Sequence, residues 1–266
     1  MIGQTISHPA NVLVNKAKHR GGRFHDYFYL VMSLIIAAIV VYGFSQTAKE
    51  KFIHPAIARP VVLYIHAAVF SGWVLFFIFQ SALVRKGMVQ WHRRIGWIGV
   101  ALGTATLVVG VETAITMGRF NIFHFHPRYP EGGLLISFFD ISAFTIPFAL
   151  AIYWRKNPDF HRRLQLMATC ALTAAAFGRF PRPFIIGPNH SPAARGFLIW
   201  VALYAGVDLL ISMAVVRDLV VGRRIHPTYL YGLSAFVLCQ AGMIYTLMHH
   251  SAWWLKTATL ILGHQG

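Results

Sequence analysis

Charge is scarce in this sequence. Asp, Glu, Lys and Arg make up 12% of 266 residues against 56% hydrophobic side chains, a balance too apolar for an ordinary soluble domain. Low-complexity linkers are missing as well, so the chain reads as one domain. Its long apolar runs lack the two-residue alternation of a membrane β-strand, which excludes a closed barrel. There is no H-E-x-x-H pair and no C-x-x-C-H haem attachment site. The only cysteines, Cys170 and Cys239, fall inside apolar runs; reduced, buried thiols are expected, and they leave the redox compartment open. Residues 1–26 carry no short apolar core followed by a small-residue cleavage site, so no removable signal peptide is expected.

What the chain does contain is apolar length. Seven runs approach or exceed the roughly 20 residues needed to cross a hydrocarbon core: 27–45, 61–84, 95–117, 134–153, 164–180, 196–216 and 228–248. The expected fold is all-α, a polytopic membrane bundle of about seven transmembrane helices over 27–248. The fifth run is interrupted at its far end by Arg179 and the Pro181/Pro183 pair. A basic amino-terminal segment, 1–26, precedes the bundle, and an interfacial tail, 249–266, follows it with Trp253 and Trp254 as anchors.

The formal net charge is +16, but the basic residues form short clusters between apolar runs. That pattern fits a lipid bilayer as partner and not nucleic acid. Of the 24 Lys and Arg, 15 fall in the amino-terminal segment and the loops at 85–94, 154–163 and 217–226, and 9 on the opposite side. The positive-inside rule then predicts a cytoplasmic amino terminus and an outer carboxyl tail.

One short motif returns. "WHRRIGWIGV" at 91–100 has a near-twin in "FHRRLQLMAT" at 160–169, and "RRIHP" at 223–227 changes the order of the same residue types. Three hairpins thus carry His92, His161 and His226 to the inner ends of outgoing helices, where a closed bundle would let them converge. Neutral imidazole is a common ligand for zinc, copper and haem iron, and Arg93 and Arg162 suit haem propionates. Asp208, in the sixth run, is a candidate to orient an imidazole. The plain alternative is that these arginines anchor the bundle at the headgroups.

A second set lies toward the outer face. His66, Glu112 and Asp140 each sit five or six residues from the outer end of their runs, about 8–9 Å deep at 1.5 Å per residue. Arg179 can reach the same layer. On the second run His66, Trp73, Phe77 and Gln80 share one helical face, which should point inward. Such a set could hold a divalent metal or relay protons; equally, Arg179 could simply pair with one of the acids. His124 and His126, two apart in an outer loop, form a weaker candidate ligand pair.

The steps "HRRIG" at 92–96, "FHRRLQLMAT" at 160–169 and "RRIHPTYLYG" at 223–232 resemble those of a set of uncharacterised bacterial multi-pass membrane proteins, over roughly residues 61–245. The resemblance implies a related helical bundle in a bacterial inner membrane and brings no catalytic residues with it. There is also a looser similarity to transmembrane b-type cytochromes, without their paired mid-helix histidines.

Three functions follow as expectations. The first is a redox or electron-transfer protein holding haem b or a divalent transition metal at His92, His161 and His226, with Arg93, Arg162 and Asp208 in support. The second is a proton-coupled transporter using His66, Gln80, Glu112, Asp140 and Arg179. The third is an assembly subunit whose polar residues meet a partner membrane protein.

Overall fold

The computed structural model describes residues 9–127, 129–180 and 191–263, with 9–26 and 192–193 as backbone alone. Arg128 and the Pro181/Pro183 interruption lie outside the described residues. Every regular element among them is helical: α1 (Pro9–Ala48) running into a π-helical turn (Lys49–Ile53), α2 (Val61–Arg85), α3 (Val89–Phe125), α4 (Pro130–Tyr153), α5 (Pro158–Ala171), α6 (Ala174–Phe177), α7 (Pro192–Leu203), α8 (Ala205–Gly222), α9 (Pro227–Met248) and α10 (Ala252–Leu262). We call the end of the bundle that carries the α2–α3, α4–α5 and α8–α9 turns proximal, and the opposite end distal.

Prolines set several helix starts. Pro130, Pro158, Pro192 and Pro227 each occupy the first turn of a helix, where the missing N–H would have had no partner anyway. Asn157 and Ser191 cap two of these starts by accepting from the Asp159 and Ala194 amides. Gly87, with φ of +74°, turns the chain between α2 and α3.

Five helices are long and apolar enough to cross a membrane, and six if α7 and α8, bent by 57° at Tyr204, count as one span. The expected fifth run, 164–180, is not covered by any single helix of membrane-crossing length: it is built from α5 and, after a two-residue turn, α6. Its first part is α5, whose 14 residues reach only about 21 Å at 1.5 Å per residue, against a core of about 30 Å. Arg163, Leu164 and Leu166–Ala171 are all buried, so α5 is an internal rod walled by its neighbours. It ends where the Thr173 amide and hydroxyl both turn back to the Cys170 carbonyl, at 3.0 and 2.6 Å, tightening the last turn.

Small residues let the helices approach. The buried face of α3 is Gly99, Gly103, Thr106, Gly110 and Thr113, at alternating spacings of four and three. A Cβ on Gly103 would lie 2.3 Å from the Phe148 ring of α4. Gly43 of α1 meets backbone: a Cβ there would lie 2.5 Å from the Ala176 carbonyl oxygen of α6. In lipid, where burial of apolar groups from one oily medium into another gains little, such close van der Waals approach is what holds helices together.

The carboxyl-terminal tail also departs from expectation. It contains α10, which packs on α3 and α4 through Trp254, Ala258 and Leu262. Trp254 is buried and donates to the Glu131 carbonyl at 3.0 Å; only Trp253 is exposed as an interfacial anchor would be.

Candidate functional site

At the proximal end the repeated His-Arg-Arg steps part company. His92 opens α3 and His161 opens α5, and their rings meet edge to face with centroids 6.2 Å apart. His161 donates from Nδ1 to the Ala151 carbonyl at 2.9 Å, while the buried Nδ1 of His92 has no hydrogen-bond partner. His226 is used differently. As the residue before α9 it accepts at Nδ1 from the Thr228 amide at 3.2 Å and from the Thr228 hydroxyl at 2.9 Å, with Phe160 against its ring. The expected threefold convergence is thus not formed: Pro227 starts α9, and His226 is consumed as its cap. Among the described residues no three His, Cys, Asp or Glu side chains are placed to hold a metal ion.

The arginines diverge likewise. Arg93 and Arg94 are exposed, whereas Arg163 is buried and grips Asp218 of α8 with two hydrogen bonds, Nε to Oδ2 at 2.8 Å and Nη2 to Oδ1 at 2.9 Å. Arg162 pairs with Asp159, and Arg217 reaches Asp218 at 3.3 Å. Arg162 and Arg217 also lie over the Tyr29 ring of α1, at 5.8 and 5.3 Å from its centroid. At its second occurrence, then, the motif ties α1, α5 and α8 together.

The His226 cap carries a pH dependence. Burial, and then the Arg163 guanidinium, hold this imidazole below its ordinary value. The folded state therefore binds the proton less readily than the unfolded chain, so the cap is at full strength above about pH 6.5 and is lost as pH falls through the lowered value. We expect the thermal unfolding midpoint to fall on mild acidification. His226→Asn, which caps without titrating, should flatten that dependence, and His226→Ala should cost about 0.5–2 kcal/mol at neutral pH. An unchanged acid slope in His226→Asn would assign the titration elsewhere.

Halfway along the bundle two acids are held by neutral donors. Asp208 does not orient an imidazole: it accepts from Trp200 Nε1 at 3.2 Å and Gln240 Nε2 at 2.9 Å, and Trp200 also donates to Gln240 Oε1 at 3.0 Å. This triangle ties α7, α8 and α9 across the bend. At the bend itself the fully buried Tyr204 donates to Asp140 of α4 at 3.0 Å. All four ion pairs among the described residues involve Asp159 or Asp218, so neither Asp140 nor Asp208 has a cationic partner there. Sequence reasoning missed Tyr204, Trp200 and Gln240; a glutamine inside an apolar span was the one available signal.

The distal half is hollow. A cavity of about 980 Å³ opens among α1, α2, α3, α4 and α6, and its walls include His66, Asp140 and Arg179 together with Lys51 and Arg59. Three members of the expected distal layer therefore share one cavity. Glu112 does not join them. It is exposed on the outside of α3, while its neighbour Thr113, a 100° step around the helix, is the residue that lines the cavity. His66 stacks on Phe70 with centroids 3.9 Å apart, and its buried Nδ1 has no partner. Arg179 donates to the Ala175 carbonyl and lies over Phe44, 4.2 Å from the ring centroid.

The cavity lining extends toward the proximal end as far as Val74, Thr106, Phe144 and Leu172. Behind Phe144 stand Trp73 and Phe148. Trp73 meets both rings edge-on, at 5.0 and 5.4 Å, and donates from Nε1 to the Thr169 hydroxyl of α5 at 3.3 Å. Of the expected inward face of α2, His66 lines the cavity, Trp73 forms this plug and Gln80 lies buried on its proximal side. Both polar atoms of the Gln80 amide, Gln165 Oε1 and His92 Nδ1 are buried there without partners.

Comparison with known proteins finds no match: no protein-family model, no curated protein and no solved structure aligns with this chain.

Proposed function

We propose that this is an integral membrane permease that takes its substrate into the distal cavity and couples the movement to protons at His66 and Asp140. The observation that carries this reading is the cavity itself: a ligand-sized hollow, walled by five membrane-length or packed helices, stops at a plug of three aromatic rings halfway through the bundle. A cavity lined by the distal helix ends and stopping at a mid-bundle aromatic plug has the form expected for one half of an alternating-access cycle. The broken α7–α8 helix supports it further, since Tyr204 at the break reaches the cavity acid Asp140 directly.

The two remaining requirements are orientation and proton exchange. The Lys and Arg excess at the proximal turns supports a cytoplasmic proximal end in a bacterial inner membrane, and with it a cavity that faces outward. Asp140 hydrogen-bonds a hydroxyl and no cation, which leaves its charge to be compensated by a proton or by the substrate complex as it moves. His66 offers an unpartnered ring nitrogen to the same space.

The test is uptake into proteoliposomes. A panel of radiolabelled organic anions, cations and neutral solutes is presented with and without a proton gradient. We expect gradient-dependent uptake of at least one class, abolished by Asp140→Asn and reduced by His66→Gln. If no class is taken up, the permease reading fails, and gradient dependence surviving in Asp140→Asn removes that residue from coupling.

A further inference from the structure

We infer that the occupant of the distal cavity is an amphiphile with an anionic head, a carboxylate or a phosphate ester, seated at Lys51, Arg59 and Arg179 with its apolar body directed toward Phe144. This rests on the cavity being the substrate site and adds the substrate's chemistry.

The head group is argued from charge. Three cations line one cavity, and no acid lies within ion-pair distance of any of them among the described residues. Glu50, beside Lys51 in the chain, is exposed, is not part of the cavity lining and forms no ion pair with Lys51. The arginines retain unmet donors, since Arg59 Nε and Arg179 Nε are buried without hydrogen-bond partners. Their planar faces rest on aromatic rings, Arg59 over Phe120 and Phe125 and Arg179 over Phe44, which holds the guanidiniums in place with N–H edges free. Like-charged, partly desolvated groups with spare donors are stabilised by an anion, and forked guanidiniums match a carboxylate or phosphate.

The body is argued from the walls. Beyond the cations most of the lining is aliphatic and aromatic, from Phe44 and Leu63 through Phe70 and Val74 to Phe144 and Leu172, with Asp140, His66 and a few hydroxyls set among them. A small hydrophilic anion would leave most of the 980 Å³ unfilled, and a second charge at the far end would be buried against hydrocarbon. A cationic amphiphile fits the walls but is repelled at the mouth.

The test is equilibrium binding to the full-length protein in nanodiscs of zwitterionic lipid, using dodecanoate, dodecyl phosphate, dodecyltrimethylammonium and propionate. Saturable binding of the first two, absent for the last two and weakened by added salt, is expected. Lys51→Gln, an exposed position that should not disturb folding, and Arg179→Gln should each weaken dodecanoate about tenfold, the scale of one charge-assisted hydrogen bond. Equal binding of the ammonium compound, or affinity unchanged in both variants, overturns the assignment. Dioleoyl phosphatidic acid in the disc, set against free dodecyl phosphate, tells whether the head arrives on a membrane lipid or on a free amphiphile. Binding as expected without gradient-driven uptake would sink the permease reading and leave this one standing. Uptake restricted to cations or polar solutes would do the reverse.

Discussion

Asp218→Ala should destabilise the protein by about 3–5 kcal/mol, the usual cost of removing one partner from a buried ion pair. Asp218 and Arg163 are both nearly inaccessible, and their two parallel hydrogen bonds are the direct link between α5 and α8 at the proximal end. Without Asp218 the guanidinium, itself buried, is left with part of its donor edge uncompensated. It keeps the Asp159 carbonyl at 2.9 Å and the Asp159 carboxylate at 3.2 Å, so the loss should fall toward the lower end of the range. Arg217 loses its ion-pair partner as well. The cleaner measurement is a double replacement. Arg163→Met with Asp218→Leu removes both charges and keeps the volume, and such exchanges are commonly neutral or stabilising. Unfolding in mixed micelles should therefore show a large loss in the single variant and recovery in the double. A single variant as stable as the parent would mean that the pair contributes nothing and that α5 is held by packing alone.

Trp73→Ala should cost a similar about 3–5 kcal/mol and change the permeability of the bundle at once. Trp73 is 2% exposed, so its removal leaves a void against Phe144 and Phe148 that membrane-embedded neighbours fill only in part. The lost hydrogen bond matters less, since the Thr169 hydroxyl also donates to the Gln165 carbonyl at 2.8 Å. Position decides the second effect. On one side of Trp73 lies the cavity floor at Val74 and Phe144, and on the other lie the unpartnered atoms of Gln80, Gln165 and His92. Opening the plug would connect the cavity floor with the unpartnered polar atoms on the proximal side. Proteoliposomes bearing Trp73→Ala should leak protons, detected by a trapped pH dye, while Trp73→Phe should remain tight. Tight vesicles with correctly folded Trp73→Ala would show that the ring seals nothing.

How much of this was readable beforehand differs residue by residue. His66, Asp140 and Arg179 stood out as ionisable groups inside apolar runs, because the cost of charge in lipid is a local property of the sequence. Their common depth was legible from counting at 1.5 Å per residue. Glu112 satisfied the same count and yet faces away from the cavity. Depth follows from position along the helix, but direction around it changes by 100° per residue, and α3 is apolar on nearly every side, so no polar face marks its phase. His226 and Asp208 failed for another reason. Both have the chemistry of ligands, and both are occupied by nearby donors, the Thr228 amide in one case and Trp200 with Gln240 in the other. Lys51 and Arg59 passed for ordinary interfacial charges until the fold placed them around one space.

By itself the sequence determined helices long and apolar enough to cross a membrane, the helical class and the placement of basic turns at one end, since each depends on composition and run length, which need no partner to be read. Only the tertiary structure decided that α5 is an interior rod, that the repeated motif is split between an imidazole pair and an ion-pair lock, and that three cations share one hollow. Those are distances between residues far apart in the chain, and in a uniformly apolar sequence no periodicity encodes which helix will stand beside which.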